Sequence, residues 1–400
     1  MSQSLARPAL VLGLLSCIGP FAIDMYLPAM PNIGTDLGTT PQGMQSTITA
    51  YFAAFGLAQL VYGPWADQAG RKVPLYAGIM VFMLGSILCA TATSDTGLIS
   101  GRFVQGLGGA ALGVVPRAIV RDMMTGPDAA RMMAAIMLVF SVSPMLAPLA
   151  GSALLGITGW RGIFVTLLVA ATLSLLLLAL AQPETLPRDQ RRPFNLGTLL
   201  RGSWDLLRDR GFLLWTFIGA FGFGSFFIFL ASASYVYQDG FHLSSTGFSL
   251  AFAANAMSFI GASQFASRLS LRYGVLRMLK WASVGFAIAA VTTLALTLAL
   301  AGMGNLWVCI IGLAVANGCL GLIIPSTMVL ALEEQGEKAG LASSLGGTVQ
   351  MLTGGVMVVV LGPWLGAEAL PMIAGIAFAA VVTMVLTLVV AGGQAAQTPA

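Results

Sequence analysis

Twelve long apolar windows, separated by short polar breaks, limit what this chain of 400 residues can fold into. A membrane-spanning helix needs about 20 mostly apolar residues, and each window meets that length. The windows cover residues 9–30, 46–66, 74–93, 98–120, 132–156, 161–182, 212–237, 246–267, 276–300, 304–331, 339–364 and 369–391. Hydrophobic residues make up 57% of the chain and charged residues 8%, whereas a soluble domain carries about 25% charged residues. The sequence therefore predicts an all-α membrane protein with twelve transmembrane helices and excludes a soluble globular protein.

The longest polar segment divides the twelve windows into six and six. It is rich in Arg, Asp and Pro, and its later part is predicted to form a short surface helix. We therefore expect an N-terminal six-helix bundle (1–182), a cytoplasmic linker (183–211) and a C-terminal six-helix bundle (212–400). This pattern is typical of transporters that are built from repeats. A short echo supports a repeat, because ADQAGRK after the second window and SLRYGVLR after the eighth align Gly70 with Gly274.

The basic residues predict the orientation of the chain in the membrane. With the N-terminus in the cytoplasm, all of the 19 Lys and Arg residues fall on the cytoplasmic side except Arg102, Arg117 and Arg161. Arg161 lies in an outer loop, and the other two lie inside the fourth window. Because cytoplasmic loops carry the excess of Lys and Arg, both termini are expected in the cytoplasm.

The polar residues argue against nucleic-acid binding, metal binding and catalysis. The formal net charge is +4, but no basic–aromatic patch is present, so no nucleic-acid partner is expected. The four cysteines lie inside apolar windows and the single His242 has no second ligand nearby, so we expect no metal and no cofactor. A membrane-embedded enzyme would need a catalytic cluster, and the chain has neither paired intramembrane acids nor a nucleophile–base motif. The protein is therefore not expected to be an enzyme.

Asp24 is an acid deep inside the first apolar window. A charge at such a position costs roughly 2.5–3.5 kcal/mol on insertion scales, which points to a functional role. Arg102 lies at a similar depth, so the two side chains are candidates for an ion pair that handles a proton. Alternatively, Arg102 extends to the outer headgroups. Tyr26 and Tyr51 lie near the same depth, where they either contact a substrate or belong to the aromatic belt of the membrane interface.

Three further segments carry recognisable patterns. GPWADQAGRKVPLYAG, which begins at Gly63, places Asp67, Arg71 and Lys72 in one short loop, either as an ionic cluster or as an ordinary positive-inside loop. GRFVQGLGGAALGVVPRAIVRDM, in the fourth window, carries Arg102, Gln105, Gly106, Gly109 and Gly113 near helical spacing, which predicts a narrow face for close helix packing. In the fifth window, Pro144, Pro148 and Gly151 predict a bend and another close contact, with a plain kink as the alternative.

These three segments resemble motifs of the major facilitator superfamily. The loop is similar to its signature loop, the fourth window to a motif in which a buried Arg serves proton transfer, and the fifth window to the motif of its antiporter branch. DMYLPAMP in the first window, RAIVRDM in the fourth and ETLP after the sixth are similar to one subfamily. That subfamily comprises the twelve-span drug/proton antiporters that confer bicyclomycin and chloramphenicol resistance.

The resemblance implies a monomer in the lipid bilayer of the bacterial inner membrane. It also implies export of neutral or zwitterionic drugs, of the chloramphenicol, florfenicol or bicyclomycin type, in exchange for protons. For proton coupling it implies Asp24 and Arg102. For the conformational switch it implies Asp67, Arg71, Lys72, Arg121, Asp122, Pro144, Pro148 and Gly151. The residues that we expect to bind substrate are Asp24, Tyr26, Tyr51, Arg102, Phe226 and Asn255.

Two other transport functions compete with drug export. The first is export of a native metabolite such as an amino acid or short peptide, whose fixed charges would call for more than one buried ionic partner. The second is uptake by proton symport, which the proline-rich fifth window disfavours. Drug susceptibility of cells that carry the chain, with and without an Asp24→Asn change, would separate these hypotheses.

Overall fold

The computed structural model describes the backbone of residues 3–124, 126–191, 193, 195–300 and 305–397. Within these ranges the side chains at 3–10, 126–131, 134–135, 137–141, 337 and 393–397 lie outside the description. All regular secondary structure of the described residues is helical. The chain forms two compact units, Met1–Leu196 and Gly197–Ala400.

The first unit contains six helices. They are α1 (Gln3–Asp24), α2 (Met30–Leu37), α3 (Pro41–Ala69), α4 (Lys72–Ala90), α5 (Asp95–Met123) and α6 (Gly126–Ala181). A 3₁₀ turn at Leu27–Ala29, with Pro28 near its start, joins α1 to α2, so the first predicted span is one helical path with a tightened turn. Helix α6 contains two predicted spans, and its dihedral angles leave the helical region at Gly159 (φ 71°).

The second unit begins at Gly197, within a short helix that lies in the 183–211 segment. Its helices are α7 (Leu196–Leu206), α8 (Arg210–Tyr235), α9 (Ser245–Tyr273), α10 (Val275–Ala299), α11 (Leu306–Leu332), α12 (Ala339–Leu361) and α13 (Ala369–Gln397). A π-helical turn, Val236–Gly240, follows α8.

The twelve predicted spans correspond to these helices. In the described part of the chain, nine helical segments are long and apolar enough to cross a membrane by length and composition. Helices α3 and α9 are not among them, because Gln, Ser, Thr and Asn side chains reduce their hydropathy, and α6 contributes one segment for two spans. The prediction of an all-α membrane protein with two bundles of six transmembrane helices is confirmed.

Each unit repeats the same packing scheme. In the first unit α5 packs against α3 and α4, and in the second unit α11 packs against α9 and α10. The second transmembrane helix of each unit ends at a glycine with positive φ, Gly70 (φ 90°) and Gly274 (φ 84°). Glycine adopts this conformation without the steric cost that a Cβ atom imposes. The predicted match between these two loops therefore agrees with the backbone.

The predicted small-residue face of α5 makes the close contacts that glycine permits. A Cβ atom on Gly106 would collide with the backbone carbonyl oxygen of Tyr51 in α3. A second glycine contact, which the sequence analysis did not include, lies on another side of α5: a Cβ atom on Gly108 would collide with the backbone of Gly78 and Phe82 in α4. Helix α5 is therefore held between two neighbours at distances that larger residues would prevent.

We expect Gly106→Ala to destabilise the protein, because the added methyl group meets backbone that cannot rotate away. Overpacking of this kind costs about 1–3 kcal/mol of unfolding free energy. The matched control is Gly63→Ala in α3, where an added Cβ atom has no heavy atom within 4 Å. Thermal unfolding of both purified variants in detergent measures the difference. Equal midpoints for both variants and the parent protein would contradict the close contact.

Candidate functional site

Arg102 lies at the centre of a buried polar cluster in the first unit. Its side chain is fully buried (0% exposed), although it carries a permanent charge. Its Nη1 donates hydrogen bonds to the carbonyl oxygen of Ala22 in α1 (3.0 Å) and to Oε1 of Gln105 (2.5 Å). Gln105 Nε2 in turn donates to Oγ of Ser86 in α4 (2.9 Å). One guanidinium therefore connects α1, α4 and α5 in the interior of the unit.

Two tyrosine rings flank this guanidinium. Its carbon lies 4.8 Å from the ring centroid of Tyr26 and 4.4 Å from that of Tyr51, distances at which a ring face attracts a cation. Both tyrosines are fully buried, and the hydroxyl of Tyr26 hydrogen-bonds to Oγ1 of Thr47 at 2.7 Å. The alternative in which Arg102 extends to the headgroups is therefore wrong. So is the alternative in which these tyrosines belong to the aromatic belt.

Asp24 lies beside this cluster as the last residue of α1, and its side chain is 5% exposed. The hydroxyl of Tyr51 interacts electrostatically with the charged groups of both Arg102 and Asp24, so both lie in its surroundings. Among the described residues no ion pair joins Asp24 to Arg102, so the direct pair that their depth suggested is not formed in this conformation.

Gly151 fixes the backbone next to Asp24. A Cβ atom on Gly151 would collide with the carbonyl oxygen of Met25, so only glycine lets α6 pack this closely on the end of α1. Helix α6 runs through Pro144 and Pro148 with helical dihedral angles, and its break lies at Gly159. The close contact predicted for Gly151 is thus present, and it supports the segment that carries the buried acid.

The cluster retains unused hydrogen-bond donors. Within the described part of the chain, Nε and Nη2 of Arg102 and the hydroxyl of Tyr51 have no hydrogen-bond partner. Buried donors normally find an acceptor, because an unmade hydrogen bond is costly. A guanidinium cannot lose its proton, whereas the neighbouring carboxyl group of Asp24 can take up or release one. The cluster can therefore receive an acceptor group, and the carboxyl group of Asp24, two residues beyond the Ala22 carbonyl that Arg102 binds, can take up a proton.

A second cluster forms where α3 meets α4. Arg71 Nη1 donates to Oδ1 of Asp67 (2.5 Å), and its Nε and Nη2 donate to the two carboxylate oxygens of Asp122 (2.6 and 3.1 Å). The side chain of Arg71 is only 6% exposed. Carboxylates of two helices therefore hold the Arg71 guanidinium in place. The bidentate bond to Asp122 connects the end of α5 to this loop.

Glu184, which the sequence interpretation did not include among the site residues, completes this cluster. Its carboxylate accepts hydrogen bonds from the backbone N–H groups of Arg71 (2.9 Å), Lys72 (3.1 Å), Thr185 (2.9 Å) and Leu186 (3.0 Å). Burial raises the pKa of Glu184, but the four N–H donors outweigh it and hold the pKa below the usual glutamate value. The carboxylate thus fastens the beginning of the linker to the loop between α3 and α4.

Two residues assigned to the switch contribute less than predicted. The ammonium group of Lys72 lies over the ring of Tyr76, 5.6 Å from its centroid, and Lys72 joins the cluster only through its backbone N–H. Arg121 is exposed, and within the described part of the chain it donates to neither Asp67 nor Asp122. Arg71 is therefore the cation that organises the cluster.

We expect Glu184→Gln to loosen the linker, because an amide offers one acceptor oxygen where the carboxylate offers two charged ones. Trypsin should then cleave faster at Arg188 and Arg191 in the purified protein. Since the pKa of Glu184 is lowered in the folded protein, its contribution is complete above the usual glutamate range and disappears as the pH falls through the lowered value. The difference between parent and variant should shrink accordingly in acid.

The matched control for this experiment is Glu333→Gln, at an exposed glutamate that ends α11. It should leave the cleavage rate unchanged. Equal cleavage of the parent protein and the Glu184 variant at neutral pH would show that the carboxylate does not hold the linker.

The two substrate candidates of the second unit have structural partners. The ring of Phe226 lies 6.0 Å from that of Phe223 and 6.3 Å from that of Phe259. Asn255 is 1% exposed; its Nδ2 donates to the carbonyl oxygen of Ala251, and its Oδ1 accepts from Nδ2 of Asn317 (3.2 Å). Asn255 therefore joins α9 to α11. Phe226 is only half-buried, which leaves part of its ring accessible.

Among the residues that the structure describes, no group of three or more His, Cys, Asp and Glu side chains could hold a metal ion. The four cysteines, Cys17, Cys89, Cys309 and Cys319, are unbridged.

Comparison with known proteins places this arrangement among membrane transporters. Residues 12–358 match the Major Facilitator Superfamily. The chain is 35% identical over 351 residues to YdgK of Bacillus subtilis (strain 168), an uncharacterized MFS-type transporter, with 87% of each chain covered. It is 32% identical over 349 residues to the bicyclomycin resistance protein homolog of Haemophilus influenzae, again with 87% of each chain covered.

The fold also matches solved structures. The crystal structure of the human organic anion transporter MFSD10 superimposes with a TM-score of 0.69, covering 96% of this chain and 99% of that one. At 20% sequence identity this likeness concerns the fold alone.

Proposed function

Because the chain belongs to the major facilitator superfamily, we propose that it is a proton-coupled antiporter that exports neutral or zwitterionic antibiotics by alternating access. Chloramphenicol, florfenicol and bicyclomycin represent the substrate class. The similarity to a bicyclomycin resistance protein homolog supports this class, as do the drug-antiporter motifs of the first, fourth and fifth windows. We place the protein in the bacterial inner membrane as a monomer with both termini in the cytoplasm.

One observation carries the proposal: a buried guanidinium, Arg102, contacts α1 two residues before the buried acid Asp24 and keeps two unused nitrogen donors. Such donors suit the carbonyl, nitro or hydroxyl oxygens of an uncharged drug. Tyr26 and Tyr51 add aromatic surface and, at Tyr51, a third unused donor. Phe226 offers partly exposed aromatic surface in the second unit.

Coupling then follows from competition between drug and proton at Asp24. When Asp24 is deprotonated, its carboxylate can accept a charge-assisted hydrogen bond from a hydroxyl or amide group of the drug, while the free donors of Arg102 bind a drug oxygen. When Asp24 is protonated, that charged acceptor is lost and the drug binds more weakly. Proton uptake at Asp24 therefore accompanies drug release, as antiport requires.

Arg71, Asp67 and Asp122 form the proposed conformational switch at the other end of the unit. Their ion pairs connect α3, the following loop and α5 in the described conformation. A transport cycle that moves these helices must break and remake the pairs. Glu184 joins this switch as a positioning residue, because it holds the backbone of Arg71.

Export of a native metabolite is the second candidate. The unused donors of Arg102 would also bind the carboxylate of an amino acid or short peptide, as a guanidinium fork does. The ammonium group of such a substrate would need an acid, and Asp24 is the buried acid of α1, the helix that Arg102 contacts. Within this cluster, binding would then require a deprotonated Asp24.

A susceptibility panel in an efflux-deficient bacterium tests the proposal. Cells that express the chain should resist chloramphenicol, florfenicol or bicyclomycin, and a protonophore should remove the resistance. Intracellular accumulation of radiolabelled drug supplies the direct readout, with vector-only cells as the control. Normal susceptibility to the whole panel, together with rapid export of labelled amino acids or dipeptides, would favour the metabolite exporter instead.

A further inference from the structure

Helix α7 and the residue after it expose a stripe of large apolar side chains. Leu196, Leu200, Trp204 and Leu207 are 56%, 61%, 56% and 37% exposed, respectively. At about 100° per residue, these four side chains fall within an arc of roughly 80° on one face of the helix. The stripe is therefore continuous, and the described protein leaves it uncovered.

Basic side chains border this stripe. Arg201 and Arg208 are exposed. Around the helix axis they lie about 40–60° beyond Trp204, which is at the edge of the stripe. The guanidinium of Arg208 lies 4.8 Å from the ring centroid of Trp204, so one arginine directly adjoins the aromatic end of the stripe. Leu, Trp and Arg in this order around a helix form the pattern of amphipathic helices that bind membrane surfaces.

The side of α7 that carries Gly202 and Leu206 is attached to its own unit. Leu206 is 1% exposed, and a Cβ atom on Gly202 would contact the side chain of Leu341 in α12. Asp205 forms an ion pair with Lys338, with 3.0 Å between Nζ and Oδ2. The helix is thus held in one rotational position, and it cannot turn its apolar stripe inward.

We propose that α7 is an interfacial membrane anchor that binds anionic phospholipid. The stripe of Leu196, Leu200, Trp204 and Leu207 inserts at the boundary between headgroups and acyl chains, and Arg201 and Arg208 bind the phosphates of the headgroups. The occupant follows from the chemistry, because Trp favours the interface and arginines attract the anionic leaflet. The proposal does not depend on which substrate the transporter carries.

Spin labels on the full-length protein test the depth of the stripe. The label is attached at Leu200→Cys, in a variant whose four native cysteines are replaced by alanine. The matched control carries the label at Thr198→Cys, on the exposed opposite face. The protein is reconstituted into vesicles of phosphatidylethanolamine and phosphatidylglycerol. Oxygen, which concentrates in the bilayer, should relax the label at position 200, whereas a water-soluble nickel chelate should relax the label at position 198.

The lipid composition tests the arginines. In vesicles of phosphatidylethanolamine alone, the label at position 200 should be less immersed than with phosphatidylglycerol. Replacing Arg201 and Arg208 with glutamine should abolish this difference between the two lipid compositions. In vesicles with phosphatidylglycerol, each lost arginine should lower the ratio of immersed to water-exposed label about fivefold. Equal effects of both lipids on the parent protein would overturn the assignment of anionic lipid.

Two other results would overturn the anchor itself. If the nickel chelate reaches the label at position 200 as readily as the label at 198, the stripe faces water. If both reagents are excluded from position 200, a second copy of the chain or another protein covers the stripe.

Discussion

Asp24→Asn is expected to abolish proton-driven drug export while the protein still inserts in the membrane. Asparagine has nearly the same size and shape as aspartate, so the packing at the end of α1 should persist. The amide cannot take up or release a proton, and it cannot offer a charged acceptor that protonation removes when the drug is released. Resistance should fall to the level of vector-only cells, which a susceptibility test measures alongside the amount of protein in the membrane.

The matched control is Asp189→Asn, which removes an exposed acid from the linker. It should retain full resistance. If cells with Asp24→Asn kept the resistance of the parent at equal protein levels, Asp24 would have no role in coupling.

Replacing Arg102 should have the second-largest effect. Lysine keeps a positive charge but lacks the planar fork, and its three donors share one nitrogen, so bonds to the Ala22 carbonyl and Gln105 would leave a single donor for a ligand where the guanidinium keeps two nitrogens. We expect Arg102→Lys to lower the drug export rate about tenfold or more, which corresponds to the loss of one or two charge-assisted hydrogen bonds. Arg102→Ala should lose nearly all export, because it also leaves a cavity between Tyr26 and Tyr51.

Two measurements separate a transport defect from misfolding. The thermal midpoint of the purified Arg102→Lys protein should stay close to that of the parent, while its export rate falls. The control Arg161→Lys replaces an exposed arginine that pairs with Asp36 at 2.9 Å and should remain active. A fully active Arg102→Lys variant would show that the guanidinium fork is not needed.

The fold was predictable because each membrane span requires a long run of apolar residues, which the hydropathy of the chain shows directly. The boundary between the fifth and sixth spans was also predictable, since the polar break around Gly159 matches the interruption of α6. The packing of α5 followed from its glycines, whose spacing on one helix face requires a close neighbour. Each of these features depends on residues that are close together in the sequence.

The direction of the Arg102 side chain is a different problem. The sequence left both a headgroup contact and an interior position open, because depth says nothing about rotation around the helix axis. A usable signal was present, however, since Gly106 and Gly109 follow Arg102 by four and seven residues and share its face. The face that packs against α3 must therefore also carry Arg102 into the interior.

Glu184 could not be assigned from the sequence. Its partners are backbone N–H groups, which have no residue-specific signature, and two of them belong to residues more than a hundred positions earlier in the chain. Similarly, Asn255 could contact either a ligand or another helix. Its hydrogen bond to Asn317 identifies the helix contact, and this bond is visible only in the structure. Long-range polar contacts of this kind require the structure.

The exchange of drug for protons is measured directly by proton flux in vesicles. The purified protein is reconstituted in vesicles that enclose a pH-sensitive dye, with equal pH on both sides and the membrane potential clamped. Chloramphenicol is then added outside. Passive entry of this uncharged drug carries no proton, so a pH change inside requires the protein.

In an antiporter, drug entry drives protons out, so we expect the lumen to become alkaline with the parent protein and to stay constant with Asp24→Asn. Acidification of the lumen would indicate symport and would contradict drug/proton antiport. An equal alkaline shift with Asp24→Asn would preserve antiport but remove Asp24 from its mechanism.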